Sequence, residues 1–225
     1  MATLSALVAA TCVTGMLLSH PVSGQDTDTQ PRIAADREAL RVRVHAADGV
    51  GEAYVREAVA VARELLTGAG VLTAWSVCVD LGCPIDEVRA AAIVVILQDT
   101  SDPRRLDQCG RAALGHADGS GTVRVSVPCV AAVLARLRQR LDTGSHPLLA
   151  VSRHHDLTGA VVAHEVGHIL GLRHGPTGVM REQLDRNDIV SLRVHRLAFT
   201  EPDALTMQRS AERAAGRGRS VLARR

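Results

Sequence analysis

Leucine and valine alternate with arginine and histidine from Leu40 to His45, and this two-residue period predicts a strand with one face in the core. From about Gly51 to Leu66 the apolar positions recur at helical spacing, which predicts a helix ending near Gly68. The chain therefore opens on a βα unit. Further strands are expected at about Val71–Val79, Ala92–Leu97 and Val123–Val127, the last entered through the turn Gly119-Ser120-Gly121. A helix over about Val130–Leu141 follows. The next helix starts near Asp156, a suitable N-cap, and carries Val162, Val166, Ile169 and Leu170 on one side and Leu157, Val161, His164 and His168 on the adjacent one. Apolar residues on both sides predict burial. Two helices close the chain, the last opened by Thr200-Glu201-Pro202-Asp203, a capping box with proline in the first turn.

The buried helix also holds the densest chemistry in the sequence, His164-Glu165-Val166-Gly167-His168-Ile169-Leu170-Gly171-Leu172-Arg173-His174, which fits HExxHxxGxxH throughout. Histidines four apart share one helix face, so His164 and His168 can direct two imidazoles at one metal ion. Gly171 can adopt positive φ, which lets the helix stop and the chain return with His174 as third ligand. Three histidines and an open fourth position suit Zn2+, which lowers the pKa of its water to about 7. Glu165 lies about 100° around the helix from His164 and is the candidate general base, the one catalytic carboxylate of the motif.

With Met180 following in Gly178-Val179-Met180, the chain resembles the metzincin clan of zinc metallopeptidases, in which a methionine in a tight turn lies beneath the metal. The resemblance implies that Met180 supports the three imidazoles without ligating. The segment His174-Gly175-Pro176-Thr177-Gly178-Val179-Met180 looks like those of matrixin-like and small secreted bacterial members. Arg181 and Gly175 stand where several families have tyrosine and serine, and the single tyrosine, Tyr54, is far upstream. The implied fold is α+β and metzincin-like: a mixed twisted sheet with helices in the N-terminal half, then the zinc helix, Met-turn and C-terminal helices, with zinc in the cleft between halves. Gly121–Val127 is expected by resemblance to be the edge strand that binds extended peptide.

At 225 residues and 46% hydrophobic content the chain can bury a core in one domain. Only 1% of residues are aromatic, so there is no stacking platform for nucleic acid, and a net charge of +2 with arginine as the sole basic type reads as coding bias rather than phosphate binding. The apolar run Leu4–Leu18, followed by small residues at Val22-Ser23-Gly24, is expected to be a signal peptide. The expected organisation is a signal peptide over 1–24, a linker over 25–37, a metzincin-like catalytic domain over 38–215 and a solvated basic tail over 216–225. Of the five cysteines, Cys12 would leave with the leader. Cys78, Cys83, Cys109 and Cys129 then suit two disulfides in an oxidising compartment. Three pairings are open, with Cys78–Cys83 and Cys109–Cys129 preferred because the first pair flanks a short turn containing Gly82 and Pro84; a four-cysteine zinc site is disfavoured because no CxxC occurs.

These readings give the expected function as a secreted zinc endopeptidase, extracellular or periplasmic, acting as a monomer on a peptide or protein substrate, with no nucleic-acid partner and no membrane association after leader cleavage. The alternative is a zinc-loaded domain of the same fold that binds peptide or protein without turning it over, and hydrolysis of a non-peptide amide is a third. His45, His116, His146, His154, His155 and His195 read as surface or hydrogen-bonded residues, with His154-His155 the pair that could line the cleft.

Overall fold

The computed structural model describes residues 39–79, 93–99, 109–114, 120–139 and 153–222, the last helix by its backbone alone beyond residue 214. The expected leader and linker, together with Cys83, His116 and His146, lie outside the described residues. The strands are β1 (Leu40–Ala46), β2 (Thr73–Val79), β3 (Ile93–Gln98), β4 (Gly110–Leu114) and β5 (Gly121–Ser126). The helices are α1 (Glu52–Gly68), α2 (Val127–Gln139), α3 (His154–Ile169), α4 (Arg186–Arg193) and α5 (Glu201–Leu222). This is an α+β fold in which the strands all precede α3 and the chain from α3 onward is helical among the described residues.

The five strands form one mixed sheet in the order β2-β1-β3-β5-β4. β1 pairs in parallel with β2 and β3, β3 in parallel with β5, and β4 lies antiparallel on β5. Leu40, Val42 and Val44 of β1, Ile93, Val95 and Leu97 of β3, and Val123 and Val125 of β5 are buried on the face that packs against the helices. Burying each such side chain contributes about 1.5–3 kcal/mol relative to leaving it in water. The Leu40–His45 alternation is therefore a faithful record of one buried face, with one exception: Arg43, on the opposite face, is also buried, and its Nε donates to Ser76 Oγ at 3.4 Å.

Helix α1 buries Val55, Ala58, Val59, Ala62, Leu65 and Leu66 along one stripe. It packs on α3 at Gly159, where a Cβ would stand 2.5 Å from the Ala58 carbonyl oxygen and 2.6 Å from Val61 Cβ. Only glycine permits that approach. Helix α3 itself buries Leu157, Ala160, Val162, Ala163, Val166 and Ile169, which point in several directions around the axis, as a core helix requires. A disulfide joins Cys109, just before β4, to Cys129 in the first turn of α2. Closing a segment of 20 residues in this way adds about 3 kcal/mol, chiefly by restricting the unfolded chain. Cys78 is also disulfide-bonded, while its expected partner Cys83 lies outside the described residues.

Several expectations need correction. Gly121–Val127 is not the edge strand: β5 lies between β3 and an additional strand, β4, which occupies the edge. The sequence Gly-Arg-Ala-Ala-Leu of β4 has no β-branched or aromatic residue, so it carried no strand signal. Helix α2 starts at Val127 and takes Pro128 into its first turn, where a missing N–H costs nothing. Asp156 is not the N-cap of α3: Arg153 holds that place and Asp156, in the first turn, accepts the Arg153 backbone N–H at 3.3 Å. Helical backbone continues to Leu222. The Thr200 box forms, with Thr200 Oγ1 donating to Asp203 Oδ2 at 2.6 Å.

Candidate metal centre

His164 and His168 sit one turn apart near the C-terminal end of α3, and the geometry that follows depends on how the helix ends. Leu170 caps it and Gly171 takes φ +94°, a left-handed conformation that an L side chain resists. The Gly171 N–H closes onto the His168 carbonyl at 3.0 Å and the Leu172 N–H onto the Gly167 carbonyl at 3.0 Å. This reversal returns His174 to the other two imidazoles. The Nε2 atoms of His168 and His164 are 3.0 Å apart, and those of His168 and His174 are 3.1 Å apart.

The short His164–His168 separation is not a hydrogen bond between rings. His164 Nδ1 lies 2.8 Å from the Val179 carbonyl oxygen and His168 Nδ1 lies 2.9 Å from the Leu172 carbonyl oxygen. A carbonyl only accepts, so each Nδ1 carries the proton and each Nε2 presents a lone pair. Lone pairs converging from separate imidazoles repel unless a cation lies between them. A tetrahedral ion with metal–nitrogen bonds of about 2.1 Å needs nitrogens about 3.4 Å apart, close to what is found. The pKa of His164 is lowered to about 4, first by burial, then by the neighbouring His168 and His174, against the Val179 hydrogen bond. A neutral ring is the form that ligates. Among the described residues, these three histidines are the one group of His, Cys, Asp or Glu side chains placed to hold a metal ion.

Met180 is fully buried behind this set. A Cβ on Gly167 would stand 2.6 Å from the Met180 sulfur, so the thioether packs on the helix backbone between His164 and His168. The turn that presents Met180 is closed by Gly175 N–H to Met180 O at 2.9 Å and anchored by Val179 N–H to Ala198 O at 3.0 Å. Gly178 enters it with φ +74°. Arg181, next along the chain, reaches α4: its guanidinium binds Asp188 at 3.0 Å and also Asp185, the N-cap of that helix. It ties the turn to α4.

Glu165 is buried and points toward the sheet edge. Its carboxylate lies against Gly110 of β4, where a Cβ would meet Oε1 at 2.4 Å, and it accepts a hydrogen bond from the Ala112 backbone N–H. Burial raises its pKa to about 7 despite that bond. A carboxyl near neutrality is suited to take and return a proton. The sequence reading found Glu165 but missed Gly110, Ala112 and the two carbonyls of Val179 and Leu172, because backbone groups carry no side-chain signature.

His154 and His155, expected as the pair that could line the cleft, lie in the first turn of α3. His155 is at the opposite end of α3, where it contacts Glu57 at 2.7 Å and Asp156 at 3.3 Å and meets Tyr54 edge-on. His195 takes φ +55° on the surface and pairs with Glu64 at 2.6 Å. His45 lies on β1, its pKa lowered by burial and then by the Arg43 charge. None of them joins the candidate metal centre. Comparison with protein-family models, with curated proteins and with solved structures found no match.

Proposed function

We propose that this chain is a secreted zinc endopeptidase of metzincin type, with His164, His168 and His174 as ligands and Glu165 as the catalytic base. The observation that carries the reading is that Glu165, the residue after His164 on the motif helix, lays its carboxylate against β4, an edge strand of the sheet among the described residues. A zinc ion there would supply Lewis acidity and lower the pKa of a bound water to about 7. Glu165 takes the proton of the attacking water and returns it to the leaving amine. The Val179 and Leu172 carbonyls hold two of the rings in the ligating tautomer, and second contacts of this kind are typically worth 10–100-fold in metal affinity.

Strand β4 holds the substrate. The Ser126 N–H bonds the Cys109 carbonyl at 2.8 Å, and antiparallel alternation then turns the N–H and C=O of Gly110 and Leu114 and the C=O of Ala112 to the open side, where the Ala112 N–H is held by Glu165. An extended peptide adds there as a further strand, held by main-chain hydrogen bonds beside Glu165. The Cys109–Cys129 disulfide supports an oxidising compartment, and among the described residues no helix is long and apolar enough to cross a membrane.

The test is cleavage of a diverse peptide library read by mass spectrometry, comparing wild type with Glu165→Ala, each with and without a zinc chelator. Cleavage confined to unchelated wild type is expected, with about one zinc per chain in both proteins. Absence of cleavage by verified zinc-loaded wild type overturns the peptidase reading and leaves a non-catalytic peptide- or protein-binding domain of the same fold or hydrolysis of a non-peptide amide.

A further inference from the structure

The outward face of the sheet is unusually basic at its open edge. Arg111 of β4 and Arg124 of β5 are directly opposed in register, and both are exposed. The same row continues through Ile96 of β3 to His45 of β1, and Arg43 and Arg41 stand on the same face of β1. Among the described strand residues on this face, none is acidic. Like charges directly opposed across an antiparallel pair destabilise the sheet. No ion pair relieves Arg111 or Arg124 among the described residues. An anion placed against both guanidinium groups would remove the repulsion and gain charge-assisted hydrogen bonds.

The position of Arg111 identifies where that anion comes from. Its own N–H and C=O bond β5, so toward the open side it stands at a non-hydrogen-bonded position, flanked by Gly110 and Ala112. In an added antiparallel strand, the residue opposite such a position comes closest side chain to side chain, at about 4.5 Å between Cα atoms. That residue shares the outward face with Arg111 and Arg124. It also lies close to the bond to be cut, because the Glu165 carboxylate lies against Gly110 and Ala112 on either side of Arg111.

We propose that Arg111 and Arg124 form a cationic clamp that selects an aspartate or glutamate on the outward face of an extended peptide laid along β4. The clamp is a specificity element and rests on the reading of β4 as the substrate strand. The substrate class is therefore acidic peptide, with the selected side chain recurring at one position or at two positions separated by one residue.

A single Glu, Gln or Lys is walked along an otherwise neutral peptide, and affinity is measured by calorimetry for zinc-loaded Glu165→Ala protein, in which turnover is removed. Glu is expected to bind about tenfold tighter than Gln at the selected position, the effect of about one charge-assisted hydrogen bond, with Lys weakest. The preference shrinks in 1 M salt, where the screening length falls to about 3 Å. Adding Arg111→Glu with Arg124→Glu reverses it toward Lys, and Arg111→Gln with Arg124→Gln flattens it; an unaltered thermal midpoint checks that each variant folds. Equal affinity for the three side chains at every position, a Glu preference that survives charge reversal, or no binding of any peptide overturns the proposal. The same peptides are offered to active wild type. Selective binding without cleavage overturns the peptidase reading and keeps the clamp, whereas cleavage indifferent to charge does the opposite.

Discussion

The Nδ1 of His164 donates to the carbonyl oxygen of Val179 at 2.8 Å, joining the first histidine of the motif to the residue before Met180. The bond fixes the His164 tautomer and joins the turn that presents Met180 to the candidate metal centre. Gly178, one residue earlier, has φ +74°, and a Cβ there would stand 2.5 Å from the Ala198 carbonyl. Gly178→Ala is expected to cost 1 kcal/mol or more, since the left-handed backbone alone costs an alanine about 1 kcal/mol. Metal affinity should fall about 10–100-fold through the displaced Val179 carbonyl. Competition with a chromophoric chelator measures the second effect, and unchanged affinity would show that the carbonyl does not tune the site.

Met180 is fully buried and packs on Gly167. Met180→Leu keeps the volume and should cost less than about 1.5 kcal/mol, whereas Met180→Ala should cost about 2–5 kcal/mol through the cavity it leaves. Urea unfolding of the metal-free proteins reads both. A thioether that contributes only packing leaves the metal affinity of Met180→Leu close to that of wild type.

Gly159 sets the spacing between α1 and α3, since a Cβ would lie 2.5 Å from the Ala58 carbonyl oxygen. Gly159→Ala raises helix propensity by about 1 kcal/mol yet should destabilise by a net 1–3 kcal/mol, because the helices must separate. A stabilised variant in thermal unfolding would mean that the helices part freely.

Asp185 caps α4 by accepting from Asn187 N–H at 2.7 Å and Asp188 N–H at 3.1 Å. Burial alone would raise its pKa; those two donors and the Arg181 charge outweigh it and hold the carboxyl below its ordinary value of 3.8. A depressed folded pKa stabilises the protein fully above the unfolded value and loses that contribution as pH falls through the folded one. Asp185→Ala should therefore cost about 1 kcal/mol at pH 7, with the gap between variant and wild type closing below about pH 4. Paired denaturation curves across that range provide the check, and a gap independent of pH would assign the cap's effect to geometry alone.

What was legible in the sequence was local. The spacing of His164, His168, Gly171 and His174 sets ring positions through helix pitch and one left-handed residue, and the structure brings the three rings together as that spacing requires. The alternation of β1, the span of α1 and the Thr200 box were equally readable, because each follows from contacts within a few residues. The Cys109–Cys129 pairing was a preference among three and is present.

Tertiary structure alone decided the edge of the sheet. Strand β4 forms because β5 offers it a row of hydrogen-bond partners and Cys129 tethers its start, whatever the weak strand propensity of Gly-Arg-Ala-Ala-Leu. That pairing moved β5 to the interior, brought Arg111 opposite Arg124 and gave the Glu165 carboxylate the Ala112 N–H as its donor. The sequence determined which side chains could serve a metal ion. Long-range pairing determined which backbone groups surround them, since each residue carries the same N–H and C=O and only the fold distinguishes one from another.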